Sequence, residues 1–193
     1  MAEDGNTRSK DNAIEKKSRK IAREVLSWVK VIAAAVIIAW AVDSFVIANV
    51  KVPSGSMEET VPAGARMIGF RLSYKFSEPE RGDIVIFRYP DDREVDFLKR
   101  IIGLPGETVT IRDGLVYIND SEEPLEEDYI TQEVYGDFGP YEVPEDSYFM
   151  LGDNRAVSKD SRYWENTFVP REDILAKVVF MYYPSFHYFS DGE

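Results

Sequence analysis

The sequence predicts a mainly β protein, built of curved antiparallel sheets and preceded by a single N-terminal transmembrane helix. Three observations predict it. Residues 31–42 are twelve positions without a charge, and the apolar character continues less purely to Val50. Beyond residue 60 no helical period sustains itself, apart from a short turn near residues 170–174. That region is cut instead into short stretches rich in Val, Ile, Phe and Tyr, separated by Pro, Gly and Asp turns.

Residues 1–24 are polar and poor in apolar side chains, and are expected as an unstructured tail that runs into a helix. Residues 1–30 hold eight Lys/Arg against five acids, a net of +3, so the remainder carries −15 of the formal −12. The segment 25–50 follows. Counted as 31–50 it has 20 residues, about 30 Å as a helix, which matches a bilayer core. Asp43, Ser44 and Asn49 weaken its outer part, so a span over 25–42 is the other placement. Lys30 is placed to snorkel from the inner end, and Trp28 and Trp40 to sit at the interfaces. A cleaved signal peptide would have a shorter apolar core and a small-residue cleavage site. A buried core helix would show a polar face, and 31–42 has none. Basic residues precede the segment, so the positive-inside rule makes 1–24 a cytoplasmic basic tail. By the same rule 25–50 is the transmembrane anchor and 51–193 an extracytoplasmic β-rich domain.

Strands are expected over 66–74, 83–89, 97–102, 108–112, 115–118, 129–134, 148–151 and 175–183. Asp113-Gly114 is a hairpin turn between the fourth and fifth of these. Residues 119–147 are acidic and turn-rich, and are expected as a surface excursion.

Composition narrows the chemistry. A body this acidic argues against nucleic acid as a partner, because phosphate binding needs a basic surface. With no cysteine there is no disulfide, thiolate metal site or cysteine nucleophile. His187 is the one histidine, so a Ser-His-Asp enzyme would have to use it and a multi-histidine metal site is excluded. A Ser–Lys pair is among the few nucleophile–base systems left.

Three segments carry groups suited to that chemistry. In Val52-Pro53-Ser54-Gly55-Ser56-Met57, Pro53 fixes an extended approach and Gly55 allows a bend after which a serine hydroxyl can be presented. A Ser/Gly turn leaving a membrane helix is the other reading of these residues. In Asp96-Phe97-Leu98-Lys99-Arg100-Ile101-Ile102, alternation sends Phe97, Lys99 and Ile101 to one face. If that face is inward, burial lowers the lysine pKa and lets it take a serine proton. A lysine snorkelling off an edge strand is the alternative. The third segment, Gly152-Asp153-Asn154-Arg155 through Ser158 to Asp160-Ser161-Arg162, is dense in side chains that brace a rigid loop or solvate a turn.

Together these segments resemble the type I (leader) signal peptidase family, membrane-bound bacterial serine proteases with a Ser/Lys dyad. Pro53-Ser54-Gly55-Ser56-Met57 is similar to the nucleophile box, and Lys99-Arg100-Ile101-Ile102-Gly103-Leu104-Pro105-Gly106 to the lysine box. Gly152-Asp153-Asn154-Arg155 with Ser158 and Asp160-Ser161-Arg162 is similar to the C-terminal box, and Arg81-Gly82-Asp83-Ile84-Val85 to a structural one. The resemblance covers about residues 25–183, and a single anchor is similar to the Gram-positive form. Glu58-Glu59 stands where many members have a proline.

The resemblance implies that Ser56 is the nucleophile and Lys99 the general base, then the acid for the leaving amine. It implies an oxyanion hole of the Ser56 N–H and the Ser54 hydroxyl, with Ser158 orienting the lysine. Asp160 and Arg162 become a structural ion pair, and Asp153 and Arg155 brace the loop. Val52, Met57, Val61, Phe97 and Leu98 would line shallow pockets for small side chains, with the peptide added as a strand. The implied substrates are secreted preproteins bearing signal peptides. They would be cut at the outer surface of the bacterial cell membrane, against the lipid bilayer and near the secretion translocon. No metal or organic cofactor is required. Two other functions compete: a self-cleaving repressor of the LexA kind, and a membrane-anchored β-domain that binds partners without chemistry.

Overall fold

The computed structural model describes residues 4–58 and 60–190, with side chains at residue 20 and from 23 onward in that range. The chain divides into two compact units, before and after the junction of Ser44 and Phe45.

The first unit is one helix, α1 (Asp4–Phe45). Its Arg23–Phe45 portion spans 23 residues with none of it buried, about 35 Å of helix and enough to cross a bilayer core. It is the one such helix among the described residues. Two expectations shift here. The charged segment is helical from Asp4 rather than unstructured, consistent with its Ala, Lys, Arg and Glu content. The apolar run also stops being helix at Phe45 rather than Val50, because residues 47–51 become a strand.

That strand, β1 (Ile47–Lys51), opens the second unit and pairs antiparallel with β2 (Arg66–Phe70), Ala48 facing Gly69. Beyond β2 the backbone makes one helical turn, α2 (Ser73–Phe76). Next come β3 (Ile84–Tyr89), β4 (Asp92–Gly103), β5 (Thr108–Arg112), β6 (Leu115–Ile118), β7 (Phe138–Glu142), β8 (Ser147–Leu151) and β9 (Val169–Pro170). A 3₁₀ turn at Arg171–Asp173 leads into β10 (Ile174–Tyr183), and β11 (His187–Tyr188) folds back on it.

The large sheet runs β1-β2-β10-β3-β4-β8-β9, and the small one β6-β5-β7. Paired strands run antiparallel throughout the described residues, and β10 slips register twice against β2. Such irregularities bend and twist a strand, which gives the sheet the expected curvature. The β5–β6 hairpin turns at Asp113 and Gly114, both with positive φ, as a two-residue primed turn demands.

Alternation along β3 explains why Ile84–Phe87 is buried at every position. Ile84 and Ile86 enter one core cluster with Val52, Met57 and Leu98. Val85 and Phe87 enter another with Ile101, Met150 and Trp164. A strand covered on both faces reads as a continuous apolar run. A third cluster, around Val109, Ile111 and Phe149, joins the small sheet to β8.

One expected strand is absent. Residues 129–134 are irregular; Tyr129 carries the Arg100 guanidinium 3.8 Å from its ring centroid, and Gln132 Nε2 donates to the Asp153 carbonyl at 2.9 Å. The strand of this region is β7, masked in the sequence by Gly139-Pro140. Its edge position in the small sheet tolerates the proline.

Candidate active site

Residues 52–65 form a loop closed at its base. Val52 N–H donates to the Ala65 carbonyl at 2.9 Å and Gly64 N–H to the Val52 carbonyl at 2.7 Å. Within it Glu58 N–H reaches back to the Gly55 carbonyl at 3.1 Å and Val61 N–H to the Met57 carbonyl at 2.7 Å. This tight turn drops Met57 and Val61 fully into the core and leaves Ser56 half-buried at the surface. Glu59 lies outside the described residues.

Lys99 comes from β4, whose pairing with β3 places it opposite Val85. Its Nζ donates to Ser56 Oγ at 2.7 Å and to the Leu98 carbonyl at 3.0 Å. The side chain is only 4% exposed. Burial pulls its pKa down to about 8, against an opposing pull from Asp160 and Asp153. Desolvation wins because both carboxylates are already paired. Asp153 is bound in bidentate fashion by Arg100 at 3.0 and 2.8 Å, and Asp160 by Arg162 at 2.8 and 2.9 Å. An amine poised near neutral pH, in contact with a hydroxyl, can deprotonate it.

Ser54 Oγ lies 3.3 Å from Ser56 Oγ, so the second serine of the turn is within reach of an atom bonded to the first. Ser56, Ser54 and Lys99 share a cleft of about 460 Å³ with Val50, Lys51, Val52, Ile86, Val95, Asp96, Phe97, Leu98, Val157 and Lys159 among its walls. Apolar side chains dominate, and Lys51, Asp96 and Lys159 supply its charges. Phe97 is held rigidly, stacked on Tyr89 with centroids 4.3 Å apart, and Lys99 Nζ lies 5.4 Å from its ring centroid.

The loop after β8 forms the floor. Gly152 N–H donates to Asp160 Oδ2 at 3.1 Å. A Cβ on Gly152 would stand 2.2 Å from Ser158 Oγ and 2.5 Å from the Ser56 carbonyl, so only glycine fits. Arg155 donates through Nε to the Gly152 carbonyl at 3.1 Å and through its other nitrogens to Glu127. Arg162 also donates to the Arg155 carbonyl at 2.8 Å.

Most residues singled out from the sequence converge here: Ser54, Ser56, Lys99, Val52, Phe97 and Leu98 line the cleft, with Asp153, Arg155 and Asp160 buried around it and Arg162 half-buried. Two expectations are corrected. Met57 and Val61 do not line the cleft, because the turn after Ser56 aims them inward. The hydrogen bond expected between Ser158 and Lys99 is not made. Ser158 Oγ is buried without a partner among the described residues, and the second contact of Lys99 is the Leu98 carbonyl. Asp153 and Arg155 are each held in a buried ion pair, with Arg100 and Glu127 respectively. His187 is exposed on β11 and does not line the cleft.

Sequence reasoning missed Ile86, which directly follows the segment 81–85 on β3 and lines the cleft. It also missed Asn154, whose backbone and side chain both bond the serine turn. The signal for Asn154 was its place in a loop of residues each expected to hold something.

The family model described as "Signal peptidase, peptidase S26" matches residues 25–183 of this chain. The chain is 41% identical over 160 residues to a probable signal peptidase I-2 of Synechocystis, covering 80% of this chain and 72% of that protein. It is 38% identical over 156 residues to signal peptidase I of Bacillus licheniformis, covering 77% and 83% respectively. A crystal structure of a signal peptidase I from Enterococcus faecalis matches at 37% identity with a TM-score of 0.46, covering 52% of this chain and 97% of that one.

Proposed function

Because this chain belongs to the signal peptidase family, peptidase S26, and so is a serine endopeptidase that removes signal peptides, we propose that Ser56 and Lys99 are its catalytic dyad. The observation that carries this reading is the 2.7 Å contact between Ser56 Oγ and a lysine amine held almost out of water.

The contact between Lys99 Nζ and Ser56 Oγ supports direct proton transfer between them. Neutral Lys99 takes the Ser56 proton as Oγ bonds to the scissile carbonyl carbon, and the carbonyl oxygen becomes an oxyanion. The Ser56 N–H and the Ser54 hydroxyl are the donors that stabilise it. Collapse of the intermediate breaks the C–N bond, and Lys99 hands its proton to the leaving amine. The acyl-enzyme that remains is hydrolysed by water, which Lys99 activates in the same way. The Leu98 carbonyl keeps the amine directed at Oγ. Ser158 Oγ, buried without a partner among the described residues, makes no hydrogen bond to Lys99 and has no step in this reading.

The substrates are preproteins, and the shallow apolar walls formed by Val52, Ile86, Phe97 and Leu98 suit small side chains at the first and third positions before the cut. The enzyme is membrane-anchored. Its N-terminus faces the cytoplasm and its catalytic domain the outside, where it works at the lipid surface close to the translocon. The excess of basic residues before the span supports that orientation.

The test is cleavage of a preprotein whose signal peptide ends Ala-X-Ala by the full-length protein in detergent. Wild type should cut after the last Ala, and Ser56→Ala and Lys99→Ala, each checked for folding, should not. Cleavage by folded Lys99→Ala would transfer the base role elsewhere, and cleavage by Ser56→Ala would remove the dyad altogether.

A further inference from the structure

Asn154 has no part in the reaction as written above, yet two of its groups hold the nucleophile turn. Its main-chain N–H donates to the Ser56 carbonyl at 3.1 Å. Its Nδ2 donates to the Gly55 carbonyl at 3.0 Å. The partner is a carbonyl, an acceptor only, so the amide nitrogen is the atom that must face it.

The second contact matters more than its size suggests. The Gly55 carbonyl and the Ser56 N–H are the two ends of one peptide plane. That bond is not among the cis peptides of the chain, and in a trans plane the C=O and N–H point in opposite directions. Whatever fixes the carbonyl therefore aims the N–H. Gly55 has no Cβ to limit how this plane rotates, so its aim rests on the two donors to its carbonyl, Glu58 N–H within the turn at 3.1 Å and the Asn154 amide from outside it.

We propose that Asn154 is the positioning residue of the oxyanion hole: its side-chain amide pins the Gly55 carbonyl and thereby aims the Ser56 N–H at the oxygen that becomes negative. The inference rests on Ser56 being the nucleophile. The holding group is itself held. Asp153 before it is ion-paired with buried Arg100, Arg155 after it with Glu127, and the Asn154 carbonyl accepts from Ser158 N–H at 3.0 Å. The amide therefore arrives already ordered, the condition under which a donor stabilises a transition state without reorganising.

The experiment compares Asn154→Ala and the isosteric Asn154→Asp with wild type, all full-length in detergent on the same preprotein. Losing an oxyanion donor costs about 10²–10³ in kcat, and misaiming one should cost about 10- to 100-fold. Both variants should show that fall in kcat, with KM within about twofold and the pH midpoint of the rate unmoved. A peptide boronic acid, whose Ser56 adduct places a tetrahedral oxygen in the hole, should lose affinity by the same factor as kcat. A peptide with a reduced, uncleavable bond should bind as before. A kcat within about twofold of wild type would overturn the proposal. So would an equal loss of affinity for the uncleavable peptide, since that would mean general damage to the cleft. If Asn154→Ala does not fold, Asn154→Asp decides alone, because it keeps the size and the main-chain bond while losing the donor. Cleavage by Ser56→Ala would sink the dyad itself, an outcome separate from either Asn154 result.

Discussion

At the scale of single residues, Lys99 sets how the enzyme answers to pH. Its pKa in the folded protein is lowered from 10.5 to about 8, so the rate of cleavage should climb as pH rises through about 8 and then level off. A pH profile of kcat/KM measures this, and a flat profile from about pH 6 to 10 would remove Lys99 as the base. The same shift bears on stability. Between about 8 and 10.5 the unfolded chain holds the lysine proton more tightly than the folded one, so stability rises with pH across that window and is lower below it. Replacing Lys99 by Met should therefore abolish cleavage while raising stability near pH 7, by at most about 3 kcal/mol. Urea melts at pH 7 and 10 would show the gain shrinking at the higher value. The contact between Ser56 and Lys99 was legible in the sequence because each residue stood in a short motif. The failed Ser158 bond was not legible, since a motif names residues and not the direction in which a hydroxyl points.

At the scale of elements, the excursion between β6 and β8 does more than cover surface. Glu127 pairs with Arg155, Tyr129 packs on the Arg100 guanidinium, and Gln132 donates to the Asp153 carbonyl. All three contacts fall on residues that flank Asn154 or pair with its neighbours. Arg155 is 3% exposed, so Glu127→Ala would leave its charge buried and unpaired, at a cost of about 3 kcal/mol or more. Chemical denaturation should register that loss, with a matching fall in activity. The double-faced run of β3 and the hairpin at Asp113-Gly114 could be read directly, because period and turn chemistry are local. Residues 129–134 could not. Their Tyr, Ile and Val content suits a strand, and only distant partners, Arg100 and Asp153, decide otherwise. The proline of β7 misled in the reverse direction, since edge placement is a property of the sheet.

At the scale of the whole molecule, the separation of charge matters. A net of +3 lies in the first 30 residues and −15 in the rest. A protease added outside sealed cells should digest the chain beyond residue 50 and spare the first 24 residues. The reverse pattern would invert the orientation. The anchor itself was visible from length and lack of charge, but its end was not. Ile47–Lys51 continues the apolar composition, and becomes a strand only because β2 offers it a partner.

The paired carboxylates beside Lys99 carry one more consequence. Asp153 and Asp160 are bound by Arg100 and Arg162 and brace the loop beside Lys99, so a proton loaded onto Lys99 alone silences the base without disturbing that frame. With Lys99 as the proposed base, moderately acidic surroundings would leave the peptidase dormant, not ruined, until they turn neutral again.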